Sequence, residues 1–331
     1  MEFERIALRN HEFEGDNNAY LLDGETTALV DTGVATPDVR RQLREGLRRN
    51  GLEYSDVDAV LLTHWHADHS GLAGMVQRES DADVYVHEGD ADVVAHDEDE
   101  WRRMEETRDD LLGQWGMPDS PREELIAFME ATHHVQGEAV DVTVIRDGDL
   151  VPAGDGSLEA LHSPGHTSGL TVYHDGDVCF SGDALLPRYT PNVGGADVRT
   201  ERPLDAYLGS LSRIRERDFE VAHPGHRDPI DEPSGRAVEI ARHHLERSRR
   251  VVDVLDDDGG LTPWEVGARL FGDLEGIHIL HGPGESYAHL DHMERNGVVE
   301  SEGRRPRRYS LSVEADVARD MLTDSVFGGF D

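Results

Sequence analysis

The chain of 331 residues is longer than one ordinary domain and carries 69 Asp and Glu against 32 basic residues, all of them arginine, for a formal net charge of −37. A chain this acidic is disordered when it lacks apolar segments, but runs such as Asp58-Ala-Val-Leu-Leu-Thr63 recur at strand length between turn residues, so disorder is excluded. One cysteine, Cys179, excludes an internal disulfide, and the lack of any 18-residue apolar stretch excludes a membrane-spanning helix.

In chain order, Phe3–Leu8, Ala19–Leu22, Thr27–Val30 and Asp56–Leu62 read as strands. Between the last two, Arg40–Arg49 has helical spacing, with Leu43 and Leu47 opposite a face of arginines that is expected to be solvated. Residues 97–137 interrupt the strands with two helical stretches, Glu98–Leu112 and Pro121–His133, parted by Gly113, Gly116 and Pro118. The apolar side chains Trp101, Met104, Trp115, Phe128 and Met129 suggest that this inserted pair lies over a pocket and shapes it.

Strand signals resume at Val140–Ile145, Leu158–Leu161, Thr171–Tyr173 and Val178–Phe180, and Pro203–Arg217 is helical, so the body is layered α/β. Cys179 lies within an apolar stretch and is expected to be a buried structural thiol. From about residue 236 the texture changes to a long Arg-rich helix to Leu255. A helix from Thr262 to Leu270 follows, then another from Glu285 to Asn296, and a hairpin around the turn Gly303-Arg-Arg-Pro306. Helix, helix, hairpin suggests a winged helix, so the expected domains are 1–235 and 236–331.

The densest chemical signal is Thr63-His64-Trp65-His66-Ala67-Asp68-His69-Ser70-Gly71, directly after an apolar strand. On extended backbone side chains two apart share a face, so His64 and His66 can converge on one metal while Asp68 and His69, past the turn, address another. Pro164-Gly-His166, Ser181-Gly-Asp183 and Pro224-Gly-His226 repeat one design, a small-residue turn after a strand that presents a His or Asp. Five His and two Asp on strand-end loops suit two open, catalytic sites rather than one closed structural site.

With Asp31-Thr-Gly33 placed before them, these blocks stand in the order found in the metallo-β-lactamase superfamily, which residues 1–235 resemble. The resemblance implies an αββα sandwich of the α/β class, here with a C-terminal winged-helix module. It implies that His64, His66 and His166 hold one divalent ion, that Asp68, His69 and His226 hold a second, and that Asp183 bridges them. Zinc is expected, with iron or manganese as alternatives. Asp31 would orient a ligating imidazole, and Asp68 would orient the attacking water together with the metal held by His64 and His66. Such a centre carries a small net positive charge on an acidic surface and attracts anionic substrates.

Within the superfamily the chain resembles the β-lactamase-like protein 2 group more than glyoxalase II. The implied activity is hydrolysis of a small-molecule thioester, ester or lactone. The alternatives are a single-strand endoribonuclease and, less favoured, an iron persulfide dioxygenase. Arg188, Tyr189, His133 and His134 are candidates for contacting substrate. The hairpin arginines Arg304, Arg305, Arg307 and Arg308 could grip nucleic acid, but Glu285, Asp291 and Glu294 on the preceding helix oppose it, so the module is expected to pack on the body, line the pocket or mediate a homodimer.

The acidic surface without lysine resembles proteins of extreme halophiles. The Debye length falls to about 3 Å at 1 M salt, where repulsion among surface carboxylates is strongly screened. Met1-Glu-Phe-Glu-Arg5 has no signal-like apolar region, so a cytoplasmic protein with no membrane partner is expected.

Overall fold

The computed structural model describes residues 2–9, 15–327 and 330. Its first sheet has six strands in chain order: β1 (Glu4–Leu8), β2 (Asn17–Leu22), β3 (Ala28–Val30), β4 (Ala59–Leu61), β5 (Asp83–His87) and β6 (Val142–Ile145). The first three pair antiparallel and the rest parallel, and each parallel crossover needs a helix. Those helices are α1 (Pro37–Arg49), α2 (Ala67–Ser70), α3 (Ala73–Ser80), α4 (Glu88–Val94), α5 (Glu98–Gln114) and α6 (Asp119–Thr132). The second sheet holds β7 (Leu150–Ala153), β8 (Gly156–His162), β9 (Thr171–Asp175), β10 (Val178–Gly182) and β11 (Val221–Pro224) in the order β11-β10-β9-β8-β7, with α7 (Pro203–Arg217) crossing between the last two in sequence.

Burial explains the layering. Tyr20, Leu22, Val30 and Leu61 from one sheet meet Val151, Leu158, Tyr173 and Phe180 from the other, which makes the central core. The alternate residues Leu21, Leu29, Val60 and Leu62 point outward against Val39, Leu43 and Leu47 of α1 and Met75 and Val76 of α3. Thr36 caps α1 by accepting from Val39 N, and Pro37 supplies its first turn. Each buried leucine there contributes about 1.5–3 kcal/mol. The arginine face is solvated as expected, with Arg40 paired to Glu79 and Arg41 to Asp38.

The outer face of the second sheet is covered by α7 and by α8 (Pro233–Asp257). Leu161, Val172 and Cys179 of the sheet share one core with Ile240 and Val251 of α8. That core continues into α9 (Pro263–Phe271), α10 (His278–Arg295), the hairpin β12 (Val299–Glu302) and β13 (Arg308–Leu311), and α11 (Ala315–Phe327), through Val266, Leu290, Val299, Tyr309 and Leu322.

Two expectations change here. The helix expected at Glu285–Asn296 starts earlier, at His278, and runs through Pro283. Gly282-Pro-Gly284 reads as a breaker, but these small residues let α10 sit close to its neighbours: a Cβ on Gly284 would lie 2.4 Å from Gly195 Cα. Part of the apolar side of α5 and α6 also has a destination other than an open pocket, while the Trp101 ring stays 6.0 Å from that of Trp65 in the His64 block. Leu112, Trp115 and Leu125 are buried against Ile279 and Leu280 of α10, and the Trp115 and Tyr287 rings lie 5.6 Å apart.

Candidate metal centre

Every candidate ligand stands just beyond the C-terminal end of a strand. β4 leads into His64, His66 and the short α2, β8 into His166, β10 into Asp183, and β11 into His226. Glycine permits the convergence at two points. Gly182, at φ +48°, lets the end of β10 approach Thr63, where a Cβ would fall 2.6 Å from the threonine side chain, and a Cβ on Gly225 would lie 2.4 Å from His69 Cε1.

The seven side chains come together. His66 Nδ1 lies 3.0 Å from His64 Nε2 and 3.1 Å from His166 Nε2. Asp68 Oδ2 lies 3.4 Å from His226 Nε2 and 3.9 Å from His69 Nε2. Asp183 stands between the two groups, with Oδ2 at 3.8 Å from His166 and 3.6 Å from His226, and Oδ1 at 3.6 Å from His69.

The far nitrogen of each imidazole is tied back. His66 Nε2 donates to Ala196 O at 3.1 Å, His166 Nδ1 to Asn192 O at 2.8 Å, and His226 Nδ1 to Asp16 O at 3.2 Å. His69 Nδ1 donates to Asp31 Oδ2 at 2.8 Å. The Thr63 hydroxyl donates to Asp31 Oδ2, so its oxygen accepts from His64 Nδ1 at 3.1 Å. Asp31 adopts φ 59°, a left-handed conformation that Asp tolerates better than most residues, and this aims its carboxylate at both Thr63 and His69.

These bonds test whether the residues fit divalent cations. The tautomers they select place lone pairs on His64 Nε2, His66 Nδ1 and His166 Nε2, which face one another at hydrogen-bond distance with no proton to share. Such an arrangement repels itself unless a cation sits among the three. His69 Nε2 and Asp183 Oδ1 are buried and have no hydrogen-bond partner among the described residues. The imidazole and carboxylate set suits a borderline transition metal. The residues fit.

Burial pulls His66 down to about 4, aided by His166, and pulls His64 well below its ordinary value, aided by His69. Burial acts the same way on His69, but Asp68, Asp183 and Asp31 outweigh it and push that imidazole up to about 10. Burial opposes ionisation of Asp68 too, yet His69 and His226 hold its carboxyl well below the usual carboxylate range. One group is thus a neutral nitrogen face and the other is rich in carboxylate.

Several residues around the centre carry no local sequence signal. Asn17 donates to Asp68 Oδ2 at 3.2 Å from β2. Asp90, fully buried on α4, accepts from Trp65 N, Thr167 Oγ1 and Gly169 N, so one carboxylate holds both the His64–His66 segment and the His166 segment. Arg199 pairs with Asp90 at 2.9 Å and Asp197 at 2.7 Å, and its guanidinium lies over the Trp65 ring.

Residues 13–226 match the model of the metallo-β-lactamase superfamily. The chain belongs to that superfamily. Among its relatives is a probable metallo-hydrolase of Bacillus subtilis (strain 168), YqjP, 26% identical over 299 residues, covering 87% of this chain and 90% of that protein. A metallo-β-lactamase family protein of Thermus thermophilus superposes with a TM-score of 0.80 at 30% identity, covering 93% of this chain and 98% of that one. An atrochrysone carboxyl ACP thioesterase of Passalora fulva is 22% identical over 266 residues, 78% of this chain and 64% of its own. The chain is accordingly an enzyme of this metallo-hydrolase superfamily, and the fold class is its mixed α/β one.

The four candidate substrate residues lie at the surface. His133 and His134 are exposed at the end of α6, where His134 Nδ1 bonds Ala131 O. Arg188 and Tyr189 are exposed as well, with Tyr189 beside the Arg227 guanidinium at 4.8 Å. Among the described residues, none of the four makes a hydrogen bond or ion pair with the seven converging side chains. The apolar side of α6 packs toward α10, which leaves these helix-end histidines in solvent. His223 packs against Phe3, Tyr20 and Phe180 rather than joining the cluster.

Proposed function

We propose that the chain is a dinuclear metallohydrolase that cleaves thioesters. The observation that carries this is the trio of unprotonated nitrogens on His64, His66 and His166 facing one another, next to the Asp68, His69 and His226 group with Asp183 between them. Divalent cations bound there, zinc foremost, supply Lewis acidity and bring the ionisation of water toward neutral pH. Asp68, held by a hydrogen bond from Asn17, would orient the attacking water. Asp31, Thr63, Asn192 and Ala196 keep the imidazoles in the one tautomer that leaves their cluster-facing nitrogens open. The thioester assignment is supported by the relative named as a carboxyl ACP thioesterase.

We read the C-terminal segment as a winged-helix module that braces the site. The hairpin arginines are used internally: Arg305 donates to Asp109 O, Arg307 pairs with Glu294 and Arg308 with Glu265. This supports a bracing role over a grip on nucleic acid. The acidic surface is proposed to be an adaptation to concentrated salt, with stability rising as salt screens the carboxylates.

The test is metal analysis of protein purified in molar salt, followed by assay on a thioester, a lactone, a phosphodiester and single-stranded RNA. Two bound metals and thioester turnover are expected. A folded His66→Ala protein that keeps both its metal and its turnover refutes the proposal, and turnover confined to RNA replaces the substrate class.

A further inference from the structure

A groove of about 520 Å³ opens between α8 and the segment that follows Asp183, and arginines dominate its lining. Arg188 lies on one wall, and Arg236, Arg242 and Arg247 lie on the other. Four arginines in one groove run against the chain's net charge of −37. Two of the four are already used: Arg236 pairs with Glu239, and Arg247 pairs with the buried Glu285. Arg188 and Arg242 are exposed and have no hydrogen bond or ion pair among the described residues. The carboxylate in the groove not engaged in an ion pair among the described residues is Glu246. The pKa of His243, also in the lining, is depressed by burial first and then by Arg247, with Glu246 opposing and Arg236 adding to the depression.

One wall of the groove is continuous in sequence with the loops that carry the candidate ligands. Its wall residues Arg188-Tyr-Thr190 begin five positions after Asp183 and end two before Asn192, whose carbonyl accepts from His166. Arg236 fastens that segment by donating to Leu186 O and Tyr189 O. Arg227, the residue after His226, lies over the Tyr189 ring, so the groove edge touches the loop of a second candidate ligand. Tyr189 itself is 54% exposed, a large aromatic face beside free guanidinium groups.

We propose that this groove binds the phosphate of the thiol carrier in a thioester substrate, with Arg188 and Arg242 as the phosphate ligands and Tyr189 as a stacking wall. The proposal rests on the thioester reading and adds the leaving group's identity: a thiol arm that ends in phosphate. Guanidinium groups suit this task because their planar forks form paired, charge-assisted bonds to phosphate oxygens. Contact at hydrogen-bond distance falls within even the short screening length of concentrated salt, so the recognition survives where long-range attraction does not. The general surface repels polyanions, and a basic groove whose wall continues into the ligand loops makes the phosphate a means of orienting the acyl group.

The experiment compares one acyl group on pantetheine, on 4′-phosphopantetheine and on coenzyme A, using the metal-loaded protein. The phosphorylated arm is expected to be preferred in kcat/KM by roughly ten- to hundredfold over the unphosphorylated one, the range of charge-assisted hydrogen bonds. A further gain with coenzyme A identifies a nucleotide carrier, and equality with 4′-phosphopantetheine identifies the bare arm; both support phosphate recognition. The double variant Arg188→Glu/Arg242→Glu loses the preference, whereas Arg304→Glu, a charge reversal elsewhere, keeps it. Titration of coenzyme A into the same proteins by calorimetry reads the groove without turnover. If no thioester is cleaved, the proposed function falls and the titration alone judges the groove: binding that the double variant abolishes supports it, and no binding overturns it. Equal rates on the phosphorylated and unphosphorylated arms, or a preference unchanged in the double variant, overturn it directly.

Discussion

Glu285 on α10 accepts a 2.9 Å hydrogen bond from the side chain of Asn192, and the carbonyl of Asn192 in turn accepts from His166. The same carboxylate accepts from Val193 N at 3.3 Å and pairs with Arg247 of α8. A residue far along the chain from the His64 block therefore sets the loop that orients a candidate metal ligand. Glu285→Ala is expected to weaken metal affinity by about ten- to hundredfold, the range for partners standing behind ligands. Glu285→Gln keeps acceptors for Asn192 and Val193 and recovers most of that loss. Chelator competition on the metal-loaded proteins reads both, and equal affinities for Glu285→Ala and the unaltered protein would show that the loop needs no such brace.

Asp90 should matter for stability as well as for metal. It is fully buried, paired with Arg199, and accepts three hydrogen bonds from the two segments that carry His64, His66 and His166. Its removal costs about 3–5 kcal/mol, because three donors in the interior lose their acceptor and Arg199 is left with Asp197 as its buried partner. Asp90→Ala should therefore lower the unfolding free energy of the metal-free protein, measured in urea, by that amount, and a change under about 1 kcal/mol would count against the clamp.

Asp31 predicts a different pattern. Asp31→Asn tolerates the left-handed backbone but replaces one carboxylate oxygen, so His69 Nδ1 and Thr63 cannot both keep their present acceptors. Metal occupancy should fall while secondary structure is kept. Quantitative metal analysis beside circular dichroism separates this from simple unfolding.

His87 gives a pH dependence. Burial and its stacked neighbour His162, 3.8 Å away, lower its pKa to about 4, and its Nδ1 caps α4 by accepting from Gly89 N. The unfolded chain takes up a proton near pH 6.5, whereas the folded one resists until about pH 4. More protons bind the unfolded state in that window, so stability is full above it and declines as pH falls through it. His87→Asn keeps a capping acceptor without titrating. Its melting temperature should decline less steeply between pH 6.5 and 4 at constant salt, and parallel slopes would remove His87 as the cause.

Local pattern made much legible. Alternation and turn residues marked most strands and helices, and the spacing within His64-Trp-His66-Ala-Asp68-His69 named the residues that the structure gathers. Those signals act within a few positions, since a strand's two faces and a helix's turn are short-range geometry. They missed the start of α10 because Gly-Pro-Gly is a breaker in isolation, and a helix survives there only where Gly195 and Leu274 pack against it.

What lay beyond any linear reading is who stands behind the ligands. Asp90 reaches Thr167 across 77 positions and Arg199 reaches Asp90 across 109, while Asn192 meets Glu285 across 93. Arg188 and Tyr189, close to Asp183 in sequence, face a groove beside α8 instead of the imidazoles. Neighbourhood along the chain constrains backbone form, but contact between distant side chains follows from how two sheets and their covering helices bury apolar faces, and that packing is a property of the whole molecule.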